Sequence, residues 1–202
     1  MQRLHCLHLI QGRLNADDVV VLGLGSTNLD WLRTDFAHEL TYAASDPMGV
    51  APCLALGLAM AVPDKRVFLL EGDGDLLMSL GSLATIASTA AKNLRIVLFE
   101  NDCYESTGMQ PLANAPRVDF VRAAEAAGIP SVFAASGLLE VPRALAGLEA
   151  SDGPAMLVLR VETNRPPYRP PPRWSPAEER VLFMRALEAA RARPPSSANA
   201  PA

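Results

Sequence analysis

The chain has 202 residues, 50% of them hydrophobic, which is enough to form the core of one α/β domain. Its 18 basic and 22 acidic residues give a net charge of −4, and no run of Lys or Arg offers the positive surface that a nucleic acid requires. The three cysteines lack the paired spacing of a zinc site or a disulfide framework, so we expect reduced thiols in a cytoplasmic protein. The most apolar stretch, residues 48–62, is too short to cross a membrane, so we expect no membrane partner.

After a first helix, short apolar runs bounded by turn residues predict buried strands at residues 19–24, 67–70, 96–99, 132–134 and 156–161. Stretches rich in Ala and Leu between these runs predict helices at residues 53–61, 78–91, 120–127 and 138–150. The alternation of strand and helix predicts an α/β fold, a doubly wound and mostly parallel sheet with helices on both faces. In such sheets, ligands bind at the carboxyl ends of the strands.

The composition changes after residue 163, which we take as the end of the domain formed by residues 1–163. The Pro-rich residues 164–172 predict an extended segment that runs over the surface. A capping-box pattern at residues 175–178 predicts a terminal helix, so that residues 164–192 form an extension packed on the domain. Residues 193–202 are rich in Pro, Ser and Ala and are predicted to be disordered.

The most informative segment is residues 71–75, EGDGD, at the end of a predicted strand, with Asn101 at the end of the next one. Gly72 and Gly74 allow a tight turn and a close approach of the backbone to a phosphate. Asp73 and Asn101 carry the oxygen ligands that Mg²⁺ prefers when it shares its coordination with phosphates. A GDG segment alone is also typical of a turn in an ordinary nucleotide-binding fold, but its combination with Asn101 favours a magnesium-diphosphate site.

This combination resembles the metal-diphosphate signature of thiamine-diphosphate-dependent enzymes. Residues 101–108, NDCYESTG, are similar to the loop that follows the signature in two relatives, the β subunit of sulfopyruvate decarboxylase and the C-terminal half of phosphonopyruvate decarboxylase. The resemblance implies thiamine diphosphate and Mg²⁺ as cofactors. It implies that the metal ligands are Asp73, the Asn101 side chain and the backbone carbonyl of Cys103. The further cofactor contacts that it implies are Gly72, Gly74, Asp75 through its backbone N–H, Tyr104 and Glu105.

Two more segments match positions that contact the cofactor in this family. Residues 25–27, Gly25, Ser26 and Thr27, resemble the small hydroxyl turn that contacts the diphosphate, although Ser or Thr before a helix is also an ordinary N-cap. Met48 occupies the position of the apolar side chain that forces the two cofactor rings into a V, and plain core packing is the alternative. The backbone carbonyl of Asp46 is implied to accept a hydrogen bond from the 4′-amino group.

The resemblance covers one domain of a two-domain active site and therefore implies a partner. A pyrimidine-binding domain with an activating Glu is expected on another chain, in a hetero-oligomer with at least two copies of each subunit. The implied activity is the decarboxylation of a small 2-oxo acid, although the carboxylate of Asp46 would repel such an anion and leaves the substrate class open. A carboligase or acyl-transferring subunit and a non-catalytic regulatory subunit are the alternatives.

Overall fold

The computed structural model describes residues 1–44, 47–113, 117–163 and 175–192. In chain order, the strands of the described part are β1 (Val19–Leu22), β2 (Thr41–Ala43), β3 (Val67–Gly72), β4 (Leu94–Glu100), β5 (Cys103–Tyr104), β6 (Gln110–Pro111), β7 (Ser131–Ala135) and β8 (Ala155–Arg160). The helices are α1 (Arg3–Gln11), α2 (Ser26–Arg33), α3 (Ala51–Ala61), α4 (Asp73–Met78), α5 (Ser82–Thr89), α6 (Phe120–Ala127), α7 (Val141–Ala150) and α8 (Pro176–Ala192).

Six of these strands form one parallel sheet in the order β2-β1-β3-β4-β8-β7, and β5 and β6 form a separate antiparallel pair. From β1 the chain adds β2 on one side and then crosses to add β3 and β4 on the other, as in a doubly wound sheet, and β8 lies between β4 and the edge strand β7. The structure therefore confirms the predicted α/β fold. Because the main strands are parallel, their carboxyl ends lie along one edge of the sheet.

The core consists of two apolar layers, one on each face of the sheet, because successive strand residues point to opposite faces. In β1, Val19 and Val21 pack into the layer beneath α3, α5, α6 and α8, and Val20 and Leu22 pack into the layer beneath α1, α2 and α7. Both layers are buried. This arrangement explains why the strands are continuous apolar runs and confirms that helices cover both faces.

Two local features differ from the sequence prediction. The helix predicted at residues 78–91 is shorter in the structure, where α5 (Ser82–Thr89) lies within that range and a separate helix, α4 (Asp73–Met78), precedes it. Ser79 has φ −136° and ψ 38°, which is outside the helical region, and glycine at position 81 weakens a continuous helix. The edge strand β2 was not predicted, because its three residues, of which only Ala43 is buried, form no apolar run.

The terminal helix α8 begins at Pro176, and Ser175 and Glu178 form the hydrogen bonds of a capping box. It packs on the edge of the sheet, where the rings of Phe183 and Tyr42 lie 5.2 Å apart. The predicted extended segment and the predicted disordered tail fall on residues 164–174 and 193–202, outside the described residues. None of the helices in the described ranges combines the length and the apolar character that a membrane span requires.

Candidate active site

The residues of the GDG segment and Asn101 meet at the carboxyl ends of two neighbouring strands. Gly72, the last residue of β3, pairs with Phe99 of β4. Asp73 is the first residue of α4, and Asn101 follows the last residue of β4. Strand pairing thus brings together two side chains that are far apart in the sequence, as the motif predicted.

Asp73 is 2% exposed, and its carboxylate joins the two strand ends. Its Oδ2 accepts hydrogen bonds from the backbone N–H groups of Asn101 and Asp102, both at 2.7 Å, and its Oδ1 accepts one from Gly74 at 2.8 Å. Burial raises the pKa of Asp73, and these backbone donors act in the opposite direction. A carboxylate has about four acceptor positions, so the three hydrogen bonds leave capacity for a cation.

Asn101 is 7% exposed and has a partner at each end of its amide. Its Nδ2 donates to Glu105 Oε2 at 3.2 Å, and its Oδ1 accepts from the backbone N–H of Cys103 at 3.3 Å. In the hairpin, Cys103 lies opposite Pro111, which has no N–H to donate to the Cys103 carbonyl. Burial raises the pKa of the Cys103 thiol, which makes the sulfur a poor metal ligand.

Asp75 has a role that the sequence did not reveal. Its carboxylate accepts hydrogen bonds from the backbone N–H groups of Leu24, at 2.9 Å, and of Gly49. It therefore holds the loop after β1 and the turn that carries Met48 against α4. The prediction gave Asp75 only a backbone contact with the cofactor, and that contact stays a prediction.

Glu71 is a second buried carboxyl that sequence reasoning missed. It is fully buried, and burial together with the nearby Asp75 raises its pKa well above the usual range. Its Oε1 accepts a hydrogen bond from the backbone N–H of Gly72 at 2.9 Å. The carboxyl group also lies against Gly23, where a Cβ atom would come within 2.1 Å of Oε1. Glycine at position 23 is thus required by the carboxyl group next to it.

One pocket unites nearly all the predicted cofactor contacts. Its lining includes the residues Ser26, Thr27, Met48, Gly72, Asp73, Gly74, Asp75, Asn101, Cys103, Tyr104 and Glu105. Gly25 lies at the start of α2 with φ +100°, a conformation that favours glycine, and faces the Ser106 side chain. A Cβ at Gly74 would lie 2.7 Å from the ring of Tyr104, so packing also requires this glycine. Asp46 lies outside the described residues.

Arg3 also lines the pocket, and no motif indicated it. It is the first residue of α1, and its guanidinium contacts Glu105, which is 102 positions away in the sequence. Glu105 was predicted as a cofactor contact, which stays a prediction, and its Oε2 binds Arg3 and Asn101. Its Oε1 is buried and has no hydrogen-bond partner among the described residues.

These residues fit a magnesium diphosphate. Asp73, the Asn101 side chain and the Cys103 carbonyl offer hard oxygen donors, the kind that Mg²⁺ prefers, and the buried Glu105 Oε1 is a further acceptor at the site. The described residues contain no group of three His, Cys, Asp or Glu side chains suited to a metal ion. A site of one carboxylate, one amide and one carbonyl does not need such a group.

Comparison with known proteins identifies the family of the chain. Residues 25–159 match the family described as "Thiamine pyrophosphate enzyme, C-terminal TPP binding domain". The chain is 36% identical to the β subunit of sulfopyruvate decarboxylase from Methanothermobacter thermautotrophicus over 156 residues, 76% of this chain and 78% of that subunit. It is 34% identical to phosphonopyruvate decarboxylase from Streptomyces hygroscopicus over 159 residues, 79% of this chain and 39% of that enzyme.

The matches to longer enzymes are partial. The chain covers 39% and 44% of the length of two Streptomyces phosphonopyruvate decarboxylases. Among solved structures, benzoylformate decarboxylase from Polynucleobacter necessarius superposes with a TM-score of 0.70 at 22% identity, over 83% of this chain and 34% of that one. This likeness supports the fold. The family match over most of the chain shows that the chain belongs to the thiamine pyrophosphate enzyme family as its C-terminal TPP binding domain, with thiamine diphosphate as cofactor.

Proposed function

We propose that the chain is the diphosphate- and magnesium-binding subunit of a thiamine-diphosphate-dependent 2-oxo acid decarboxylase. The observation that carries the proposal is the convergence of Asp73, Asn101 and Met48 on one pocket at the carboxyl ends of the strands. The relatives that are 34% and 36% identical are named as decarboxylases of phosphonopyruvate and sulfopyruvate. We therefore expect a small, anionic 2-oxo acid as substrate.

The protein's first task is to hold the metal and the diphosphate. Asp73, Asn101 Oδ1 and the Cys103 carbonyl would bind Mg²⁺, which needs oxygen ligands from the protein in addition to those of the phosphates. The start of α2, with Ser26 and Thr27 at the pocket, provides backbone N–H groups for the anionic oxygens. Met48 reaches the same pocket, where a bulky apolar side chain would hold the two cofactor rings in a V.

The reactive chemistry belongs to the bound cofactor, which accepts the electron pair released when the substrate loses carbon dioxide. The chain orients that group and excludes water around it. Asp75 supports this task, because its carboxylate holds the Met48 turn and the loop after β1 in fixed positions. The proposed backbone carbonyl of Asp46 lies outside the described residues and stays a prediction.

The other half of the active site would come from a partner. The sulfopyruvate decarboxylase relative, most of whose length matches this chain, is named as subunit beta. That name implies an assembly with another subunit in that protein. We propose a cytoplasmic hetero-oligomer in which a pyrimidine-domain subunit supplies the activating Glu. Two or more copies of each chain would form it.

The test is to express the chain with a candidate pyrimidine-domain subunit and to measure carbon dioxide release from a panel of 2-oxo acids. Sulfopyruvate and phosphonopyruvate belong in the panel, with thiamine diphosphate and Mg²⁺ present. The complex should release carbon dioxide, and the purified chain alone should not. Acyloin or acetolactate-like products without aldehyde would indicate a carboligase instead. Failure of the complex to bind the cofactor would indicate a non-catalytic subunit.

A further inference from the structure

Arg3 is a buried cation with two carboxylate partners at the edge of the pocket. One terminal guanidinium nitrogen lies 2.9 Å from Asp30 Oδ2, and the other lies 2.9 Å from Glu105 Oε2. The three side chains are no more than 5% exposed. Because the guanidinium is a rigid, planar fork, two partners at its two ends fix each other's positions. Asp30 on α2 thus serves as the anchor, and Arg3 holds Glu105 in place.

Glu105 in turn contacts the side chain of Asn101. Its Oε2 accepts a hydrogen bond from Asn101 Nδ2 at 3.2 Å. An amide has one donor end and one acceptor end of nearly equal size, whereas a carboxylate offers only acceptors. Glu105 therefore favours the amide orientation in which nitrogen faces it, and the hydrogen bond from the Cys103 backbone N–H to Oδ1 is consistent with that orientation.

The reverse orientation would have two costs. Asn101 Oδ1 would face the Glu105 carboxylate, and the NH₂ group would take the place of the oxygen. An amide NH₂ has no acceptor to offer, so it cannot act as a ligand for Mg²⁺. The identity of the atom that faces the metal thus depends on which end of the amide Glu105 binds.

We propose that Arg3 and Glu105 are positioning residues that orient the Asn101 amide and so present its Oδ1 to the metal ion. This inference rests on the proposed function, in which Asn101 is a metal ligand. Arg3 acts through Glu105 and does not contact the metal. Arg3 in α1 thereby controls the orientation of Asn101, which follows β4.

Through-space electrostatics and positioning predict opposite effects for Arg3. A positive charge near the pocket repels a metal cation, so Coulomb repulsion alone predicts that Arg3→Met tightens metal binding. If Arg3 instead positions Glu105, Arg3→Met should weaken metal binding. Substitution of outer-shell partners of metal ligands lowers metal affinity by about 10–100-fold, and we expect a loss in that range for Arg3→Met.

The experiment measures Mn²⁺ binding by electron paramagnetic resonance of free Mn²⁺, with thiamine diphosphate present and the complex assembled as for the decarboxylase assay. Arg66→Met is the matched control, because it removes an ion pair with Asp18 that does not line this pocket. It should leave the Mn²⁺ affinity unchanged. Tighter or unchanged binding in a folded Arg3→Met variant would overturn the proposal.

A double-mutant cycle keeps the proposal testable if Arg3→Met does not fold. With Asn at position 101, Glu105→Gln should weaken Mn²⁺ binding. Gln can bind either end of the Asn101 amide, so it no longer selects the orientation that presents Oδ1 to the metal. In an Asn101→Asp background, the same change should weaken binding less, since a carboxylate presents an oxygen in either orientation and only the effect of the lost charge is left. Equal weakening in both backgrounds would mean that Glu105 acts only by its charge and would overturn the proposal. If the parent complex binds no Mn²⁺ with the cofactor, the proposed function fails, and this inference fails with it.

Discussion

Removal of the Asp73 charge should abolish metal-dependent cofactor binding, but the choice of substitution decides whether the result can be interpreted. In Asp73→Ala, the backbone N–H groups of Asn101, Asp102 and Gly74 would lose their acceptor. An unsatisfied buried donor costs about 1–3 kcal/mol, so three would cost about 3–9 kcal/mol, against a total stability of about 5–15 kcal/mol for a typical domain. A loss of binding in this variant would be confounded by unfolding.

Asp73→Asn avoids most of that cost. Its amide oxygen can still accept from Asn101 and Asp102, and only its NH₂ group faces the N–H of Gly74, for a loss of about 1–3 kcal/mol. The variant lacks the negative charge that neutralises Mg²⁺. Because substitutions in the outer shell alone cost about 10–100-fold in metal affinity, loss of the charged ligand should cost at least about 100-fold.

The assay is calorimetric titration of the assembled complex with thiamine diphosphate at fixed Mg²⁺. Asp18→Asn is the control, because Asp18 is also a buried carboxylate and binds Arg66 at a distance from the pocket. The control should lose stability and retain cofactor affinity. A folded Asp73→Asn variant that binds the cofactor as tightly as the parent would refute the role of Asp73 as a metal ligand.

Three other predictions follow from the structure. Met48→Ala should lower turnover of the complex far more than cofactor affinity, because Met48 shapes the cofactor while the diphosphate supplies most of the binding; equal losses in kcat and affinity would contradict this. Thiamine diphosphate with Mg²⁺ should slow the alkylation of Cys103, which lines the pocket, and not that of the exposed Cys53, as read by peptide mass spectrometry. Burial raises the pKa of Cys6 to about 11 from 9.0, so the folded chain keeps a proton that the unfolded chain loses in this range. The free energy of unfolding should therefore fall by about 2 kcal/mol as the pH rises from 9 to 11, and an equal slope in Cys6→Ala, measured by denaturant titration, would contradict the assignment.

The sequence was most informative where a single physical cause determines the structure. Strands β3, β4 and β8 are buried on both faces, so their residues form apolar runs that are easy to recognise. Asp73 and Asn101 could be located because each immediately follows such a strand. The edge strand β2 gave no such signal, since it has three residues and only Ala43 among them is buried.

The contacts among the pocket residues could not be predicted, because they depend on chain packing. Arg3 lies in the first helix, and nothing in the local sequence indicates that it reaches Glu105. Asp75 was expected to contact the cofactor only through its backbone N–H, and the structure shows that its carboxylate accepts hydrogen bonds from backbone N–H groups of two other loops. Such roles require knowledge of which loops are neighbours.

Strand pairing brings the two parts of the motif together. Gly72 and Phe99 are paired in the parallel sheet, so the residues that follow them emerge side by side, and the Asp73 carboxylate binds the N–H of Asn101. The residues between these strands form α4, α5 and their connections, which return the chain to the start of β4. A longer connection at the α4–α5 break would leave the pairing intact, whereas a shift of β4 by one residue would turn its side chains to the opposite face. The requirement for the site is therefore the register of β3 and β4, and the number of residues between Asp73 and Asn101 can vary without changing it.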